Sequence, residues 1–97
     1  MATIIDGDFE WDEAKALSNL RKHGVSFTEA ASCFADEHGL YFEDTTHPER
    51  FVLLAYSDKL RLLVTIHAEL DSHRIRIISA RKTTSHERRR YEEGEDS

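Results

Sequence analysis

From Gly39 onward the apolar residues of this chain recur at every second position, and that period constrains the fold more than any other feature. Side chains alternate between faces along a strand, so a period of two marks a half-buried sheet. Leu40-Tyr41-Phe42-Glu43 reads as one strand and Arg50 to Tyr56 as the next. Leu60 to Ala68 reads as a third, with Leu62, Val64 and Ile66 on one face, and another opens at Arg74. Asp44 to Glu49, with the only proline at Pro48, forms a loop, Ser57-Asp58-Lys59 a tight hairpin, and Glu69 to Ser72 a turn. The run His73 to Tyr91, HRIRIISARKTTSHERRRY, changes period partway. Ile75 and Ile77 take one face of a strand, Arg74, Arg76 and Ile78 the other. Thr84-Ser85-His86-Glu87 then has the S/T-x-x-E form that satisfies the first N–H groups of a helix.

Upstream, Thr3 to Ile5 reads as a short strand. Asp12 is placed to cap a helix that runs to about Lys22, with Ala14, Leu17 and Leu20 as its apolar stripe and Trp11 packing at its start. His23-Gly24 ends it, a basic residue in the last turn followed by glycine. Ser26-Phe27-Thr28-Glu29 is a second capping box, and Phe27, Ala30, Ala31 and Phe34 follow at helical spacing. The expected fold is α+β, in the order β-α-α-β-β-β-β-α, with a central antiparallel sheet packed by helices. Ninety-seven residues hold one core. The expected domain spans residues 1–92, with 93–97 as an acidic disordered tail.

The single cysteine, Cys33, rules out an internal disulfide framework and fits a reducing, cytoplasmic location. Its expected role is that of a small buried hydrophobe. The start MATIIDGDFEWD has neither a basic leader nor a long apolar run, so no signal peptide or membrane association is expected. A net charge of −6 argues against a generic nucleic-acid binder. The charge is uneven, however: from Arg74 to Arg90 the only acid is Glu87, against seven lysines and arginines. Local basicity of this kind can hold a polyanion within an acidic protein.

Short hairpins at Asp58-Lys59 and Glu69–Ser72 would set Arg50, His67 and Arg74 in a line across three strands, with Arg76 and Thr65 one row along. Arginines converging on one face repel each other unless an anion joins them, and the guanidinium fork suits phosphate oxygens. The six histidines show no H-x-x-x-H spacing and there is no C-x-x-C, so no zinc site, other metal or cofactor is expected. No glycine-rich phosphate loop or G-x-S-x-G elbow is present. His23 stands out, at a helix C-terminus beside Lys22, where the dipole favours the imidazolium.

Trp11-Asp12, Lys15, Asn19, Lys22-His23-Gly24-Val25, Phe27, Glu29-Ala30, Arg50-Phe51, Arg74-Ile75-Arg76-Ile77-Ile78-Ser79-Ala80-Arg81, Glu87 and Tyr91-Glu92 together closely resemble the BrnT family of toxins. The resemblance spans about Phe9 to Gly94. It implies a RelE-like ribonuclease fold, metal-independent endoribonuclease activity on RNA and inhibition of translation. It also implies a BrnA-type antitoxin that carries a DNA-binding domain, and a toxin dimer within a heterotetramer. Carried over by position, the catalytic candidates are Lys22, His23, Arg50, Arg76 and Arg81. Lys22 or His23 would move the proton and the arginines would hold the phosphate. The sheet geometry adds Arg74 and His67 as substrate-binding candidates. Two other functions fit the charge pattern: a non-catalytic module that joins a DNA-binding antitoxin as co-repressor, and an interaction domain that holds an acidic partner through Arg88–Arg90.

Overall fold

The computed structural model describes residues 2–71 and 73–94. Its elements are β1 (Thr3–Asp6), β2 (Phe9–Asp12), α1 (Glu13–His23), α2 (Phe27–Ser32), β3 (Leu40–Glu43), β4 (Phe51–Tyr56), β5 (Leu62–Glu69), β6 (Ile75–Lys82) and α3 (Ser85–Glu93). α2 runs on into a turn of 3-10 helix, Cys33–Ala35. The strands form one six-stranded sheet in the order β1-β2-β6-β5-β4-β3. The α+β class is as expected, but the element order is not: Phe9–Asp12 is a strand. It pairs antiparallel with β1 and parallel with β6, so the sheet is mixed. β2 has four residues, and its partner in β6 lies 66 positions away along the chain. Nothing local in Phe9–Asp12 announces such a pairing.

Both sheet faces are covered. α1 and α2 pack on one, over Trp11, Val25, Phe27, Ala30, Leu53, Leu63 and Ile77. α3 lies on the other, where Tyr91 and Tyr56 join Leu40, Leu54, Leu62 and Val64. The Tyr91 hydroxyl donates to Asp36 at 2.7 Å, and the same carboxylate oxygen accepts the Tyr56 N–H at 2.9 Å, which ties α3 to β4. Cys33 sits in the core, where burial, with the Glu29 charge adding to it, pushes its thiol up to about 12. It packs as a hydrophobe and is no nucleophile.

Local signals set the helix ends. Asp12 accepts the Lys15 N–H at 2.9 Å, and Gly24 closes α1 with φ 70°, a left-handed geometry that a side chain would strain. The expected stripe on α1 faces the wrong way, since Leu17 and Leu20 are 56% and 46% exposed. The face against the sheet carries Ala16 and the buried Asn19 instead. β2 pairs with β6 at Ile75 and Arg76 alone, which leaves the flank of β6 beyond them without a strand. Asn19 fills part of that gap. Its amide donates to the Ala80 carbonyl at 2.8 Å, its carbonyl accepts the Ala80 N–H at 3.2 Å, and it also donates to the Val25 carbonyl at 2.9 Å. One side chain thus reproduces a rung of ladder and pairs both backbone groups of Ala80.

The β4–β5 hairpin is wider than two residues. Tyr56 pairs with Leu62, and Ser57–Arg61 form the loop, closed by the Ser57 N–H to Arg61 carbonyl bond of 2.9 Å. Leu60 there is 83% exposed at φ 59°. A left-handed leucine costs roughly 1–2 kcal/mol, and glycine's extra chain entropy offsets part of the relief. Leu60→Gly should therefore stabilise the fold by about 0.5–1 kcal/mol, read as a higher urea midpoint.

Beneath this hairpin lies the buried Glu29. Arg61 grips both of its carboxylate oxygens, the Ser57 hydroxyl donates to it at 2.6 Å, and Arg61 also donates to the Gly24 carbonyl at 3.0 Å. The Arg61 bonds hold the Glu29 carboxyl below its ordinary pKa despite its burial. Among the described residues no helix is long and apolar enough to cross a membrane. α3 runs through Glu93, and residues 95–97 of the acidic tail lie outside the described part.

Candidate nucleic-acid interface

The register decides which side chains meet. Phe51 pairs with His67 and His67 with Ile77, so these three face α1 and α2. Arg50, one residue before Phe51, is turned to the opposite face. Arg76 pairs with Ala68 and Arg81 with Val64, which places both arginines on the α3 face with Arg50. The expected line of Arg50, His67 and Arg74 is therefore broken. The wider hairpin shifts β4 by one residue relative to β5, and one residue inverts a strand. His67 is 1% exposed, stacked edge-on against Phe34 at 4.8 Å and near Phe51 and Tyr41. Burial lowers its pKa. It is a neutral core group that no substrate reaches. Thr65, placed beside it by the same expectation, is buried on that face too. The turn expected at Glu69–Ser72 runs between Leu70 and Arg74, with Ser72 outside the described residues.

Each arginine on the α3 face meets an acid. Arg74 and Arg76 share one carboxylate, Glu10 of β2, with Arg74 at 3.5 Å and Arg76 in a short charge-assisted hydrogen bond. Arg50 lies 3.8 Å from Glu49, too long for a hydrogen bond. Arg81 grips Glu87 with both terminal nitrogens at 2.8 Å, while Glu87 closes the Thr84 capping box. The Arg81 fork holds the Glu87 carboxyl down at about 2. Because the folded value lies below the ordinary one, the stability from this group is full above about pH 4.5 and is lost as pH falls toward 2. Solvent screens the pair, so the contribution is on the order of 1–2 kcal/mol. Accordingly Glu87→Gln should be less stable than the parent at pH 7, and the gap in urea midpoint should narrow below about pH 4.5 and close only as pH passes below about 2.

Lys22 and His23 lie elsewhere but close by. With Lys15, Ser18 and Asn19 they line a crevice of about 220 Å³, whose other wall is Ile78 and Ser79 of β6. The β5–β6 ladder shifts register here: Ser79 pairs with Ile66 and Ile77 with His67, so Ile78 is the extra residue of a bulge. Bulges re-aim side chains and often lie beside functional sites. β6 thus carries an arginine at either end of the segment that walls the lysine crevice. The structure brings Lys22 and His23 together on the α1 side of β6, and sets Arg74, Arg76 and Arg81 on the opposite, α3 side of the sheet. Arg50 stands two strands away, and His67 is excluded. Sequence reasoning gave no role to Glu10, which serves two arginines, or to Lys15 as a crevice residue. The Lys15, Asn19, Lys22 spacing, one helical face, was the available signal.

A family model described as "Ribonuclease toxin, BrnT, of type II toxin-antitoxin system" matches residues 11–87. The crystal structure of the Brucella abortus ribonuclease toxin BrnT is similar to this fold with a TM-score of 0.64 at 22% identity, over 77% of this chain and 94% of that one. The comparison with curated proteins returned no match. The family match covers the crevice residues of α1, all of β6 and its arginines, and the capping box at Thr84, and on that match the chain belongs to the BrnT family of ribonuclease toxins of type II toxin–antitoxin systems.

Proposed function

We propose that this protein cuts RNA without a metal, using the bulged segment of β6 as the place where the scissile phosphate lies. The observation that carries this reading is the Glu10 carboxylate between Arg74 and Arg76. Two guanidinium groups, each with one terminal nitrogen on a different carboxylate oxygen, form a setting that a phosphate can take over by displacing the carboxylate. RNA brings its own nucleophile, the 2′-OH. The protein has to bind the phosphate, take a proton from the 2′-OH, and steady the charge on the pentacoordinate transition state. Arg76 and Arg81 flank the bulge and serve the phosphate oxygens, with Arg74 beside them and Arg50 farther along the strand's path. Lys22 or His23, across the crevice, moves the proton. The product is a 2′,3′-cyclic phosphate with a 5′-hydroxyl on the leaving strand.

Family membership implies an antitoxin partner. In our reading that partner is a BrnA-type protein with a DNA-binding domain, which assembles with a toxin dimer as a heterotetramer in the cytoplasm. RNA cleavage then inhibits translation, and the fold is a RelE-like variant with one added strand. The test is incubation of purified protein with RNA in chelator, with end-group analysis of the fragments. Cyclic-phosphate ends support the reading, and intact RNA overturns it. A non-catalytic co-repressor is favoured by one feature, the acid partner found on each arginine, and it would leave RNA intact while still tightening the antitoxin's grip on DNA.

A further inference from the structure

We infer that a cavity under α3 holds a nucleobase of the RNA strand, an inference that rests on the RNA-cutting reading above. The cavity measures about 250 Å³, and its floor is Phe42, Val52, Leu54 and Val64 of three adjacent strands. Three polar side chains of α3, His86, Glu87 and Arg90, form its rim. The volume is below the range of drug-sized sites, which suits a single planar ring system. The Arg90 guanidinium lies over the Phe42 ring, 4.4 Å from its centroid. An aromatic face and a guanidinium plane are the two surfaces on which unpaired RNA bases stack. The rim can read a base edge, since Arg90 donates to ring carbonyls and nitrogens and Glu87 accepts from ring N–H or amino groups.

The cavity also adjoins the arginines already assigned to phosphate. Arg81 pairs with Val64 of the floor and holds Glu87 of the rim. Arg50 is two residues from Val52, hence on the same face. The floor lies one to three strands from β6, about 5–15 Å at the usual strand spacing, the reach of one or two nucleotides from a phosphate at the bulge. Glu87 and Glu49 match Arg81 and Arg50, and the Arg90 guanidinium over Phe42 is the further cation that favours a polyanionic strand. A protein helix would need an open groove where α3 already sits.

The experiment follows backbone resonances of the labelled full chain during titration with the four nucleoside monophosphates and with ribose 5-phosphate. At least one nucleotide should move the signals of Phe42, Val52 and Val64, and ribose 5-phosphate should not. Phe42→Ala should weaken that nucleotide by about 5- to 150-fold, the usual cost of losing a stacking partner, and leave ribose 5-phosphate binding as it was. Arg90→Ala, an exposed change with little risk to folding, should do the same. Nucleotides that move no more signals than ribose 5-phosphate, or cavity signals that respond only to an added antitoxin protein, overturn the inference. RNA cut by Phe42→Ala at unchanged positions and rate also overturns it, and leaves the nuclease reading standing. Cavity shifts with nucleotides, alongside wild-type protein that leaves RNA intact, support the base site and overturn the nuclease reading alone.

Discussion

Arg76→Ala will slow RNA cleavage by about 10²–10³-fold, the usual cost of removing one preorganised donor from a developing oxyanion. Arg76 is the residue to test because it flanks the bulge, holds Glu10 from the strand itself, and shares that carboxylate with Arg74. Its removal leaves Glu10 with the longer of its two contacts, so a modest loss of stability is expected as well. Arg76→Lys separates the effects: it keeps a positive charge for Glu10 but loses the fork, and cleavage should remain depressed. Glu10→Gln probes the same site from the other side. With its charge gone, both guanidiniums are released toward phosphate, and RNA should bind more tightly, most visibly at low salt. A folded Arg76→Ala protein that cuts RNA at the parent rate would remove the residue from the chemistry.

The second large effect concerns stability. Glu29 is 3% exposed, and Arg61 is its charged partner. Arg61→Ala leaves a carboxylate in the core with only the Ser57 hydroxyl and should cost about 3–5 kcal/mol. For a domain of this size each kcal/mol lowers the melting temperature by about 4–8 °C, so the transition should fall by well over 10 °C. Adding Glu29→Gln to Arg61→Ala removes the stranded charge and should restore part of the loss. A drop of only a few degrees in Arg61→Ala would mean that the pair behaves as a surface contact. The network spans α2, the β4–β5 loop and the α1–α2 turn, so this pair ties one helix and two connections to one another.

What could be read from sequence was local. The caps at Asp12 and Thr84 and the stop at Gly24 stand where the residues placed them, because each depends on neighbours within four positions; at Ser26 the hydroxyl caps α2, but the box stays half-formed because the Glu29 carboxylate is turned to Arg61 and Ser57. The arginine-bearing strand and its following helix were legible for the same reason. What was not legible depended on pairings at a distance. β2 exists through β1 and β6. Asn19 looks like a surface residue until its amide meets Ala80, so periodicity alone points to Leu17 and Leu20 as the apolar stripe, and both face solvent. Leu60 takes a backbone conformation that leucine rarely adopts, and the hairpin it allows moved Arg50 to one face and left His67 buried on the other. Glu10 reaches Arg76 through the parallel pairing of β2 with β6, which no local signal announces, and Glu49 is the neighbour of Arg50 in the sequence.

Asn19 also limits how far the sheet can grow. A strand with an open flank offers unpaired backbone groups to any extended segment nearby, including the same strand in another copy of the chain. By capping Ala80 with a side chain, α1 stops that addition, and it does so without the bulk of a seventh strand. What remains of the gap is the crevice in which two lysines and a histidine lie beside the bulge.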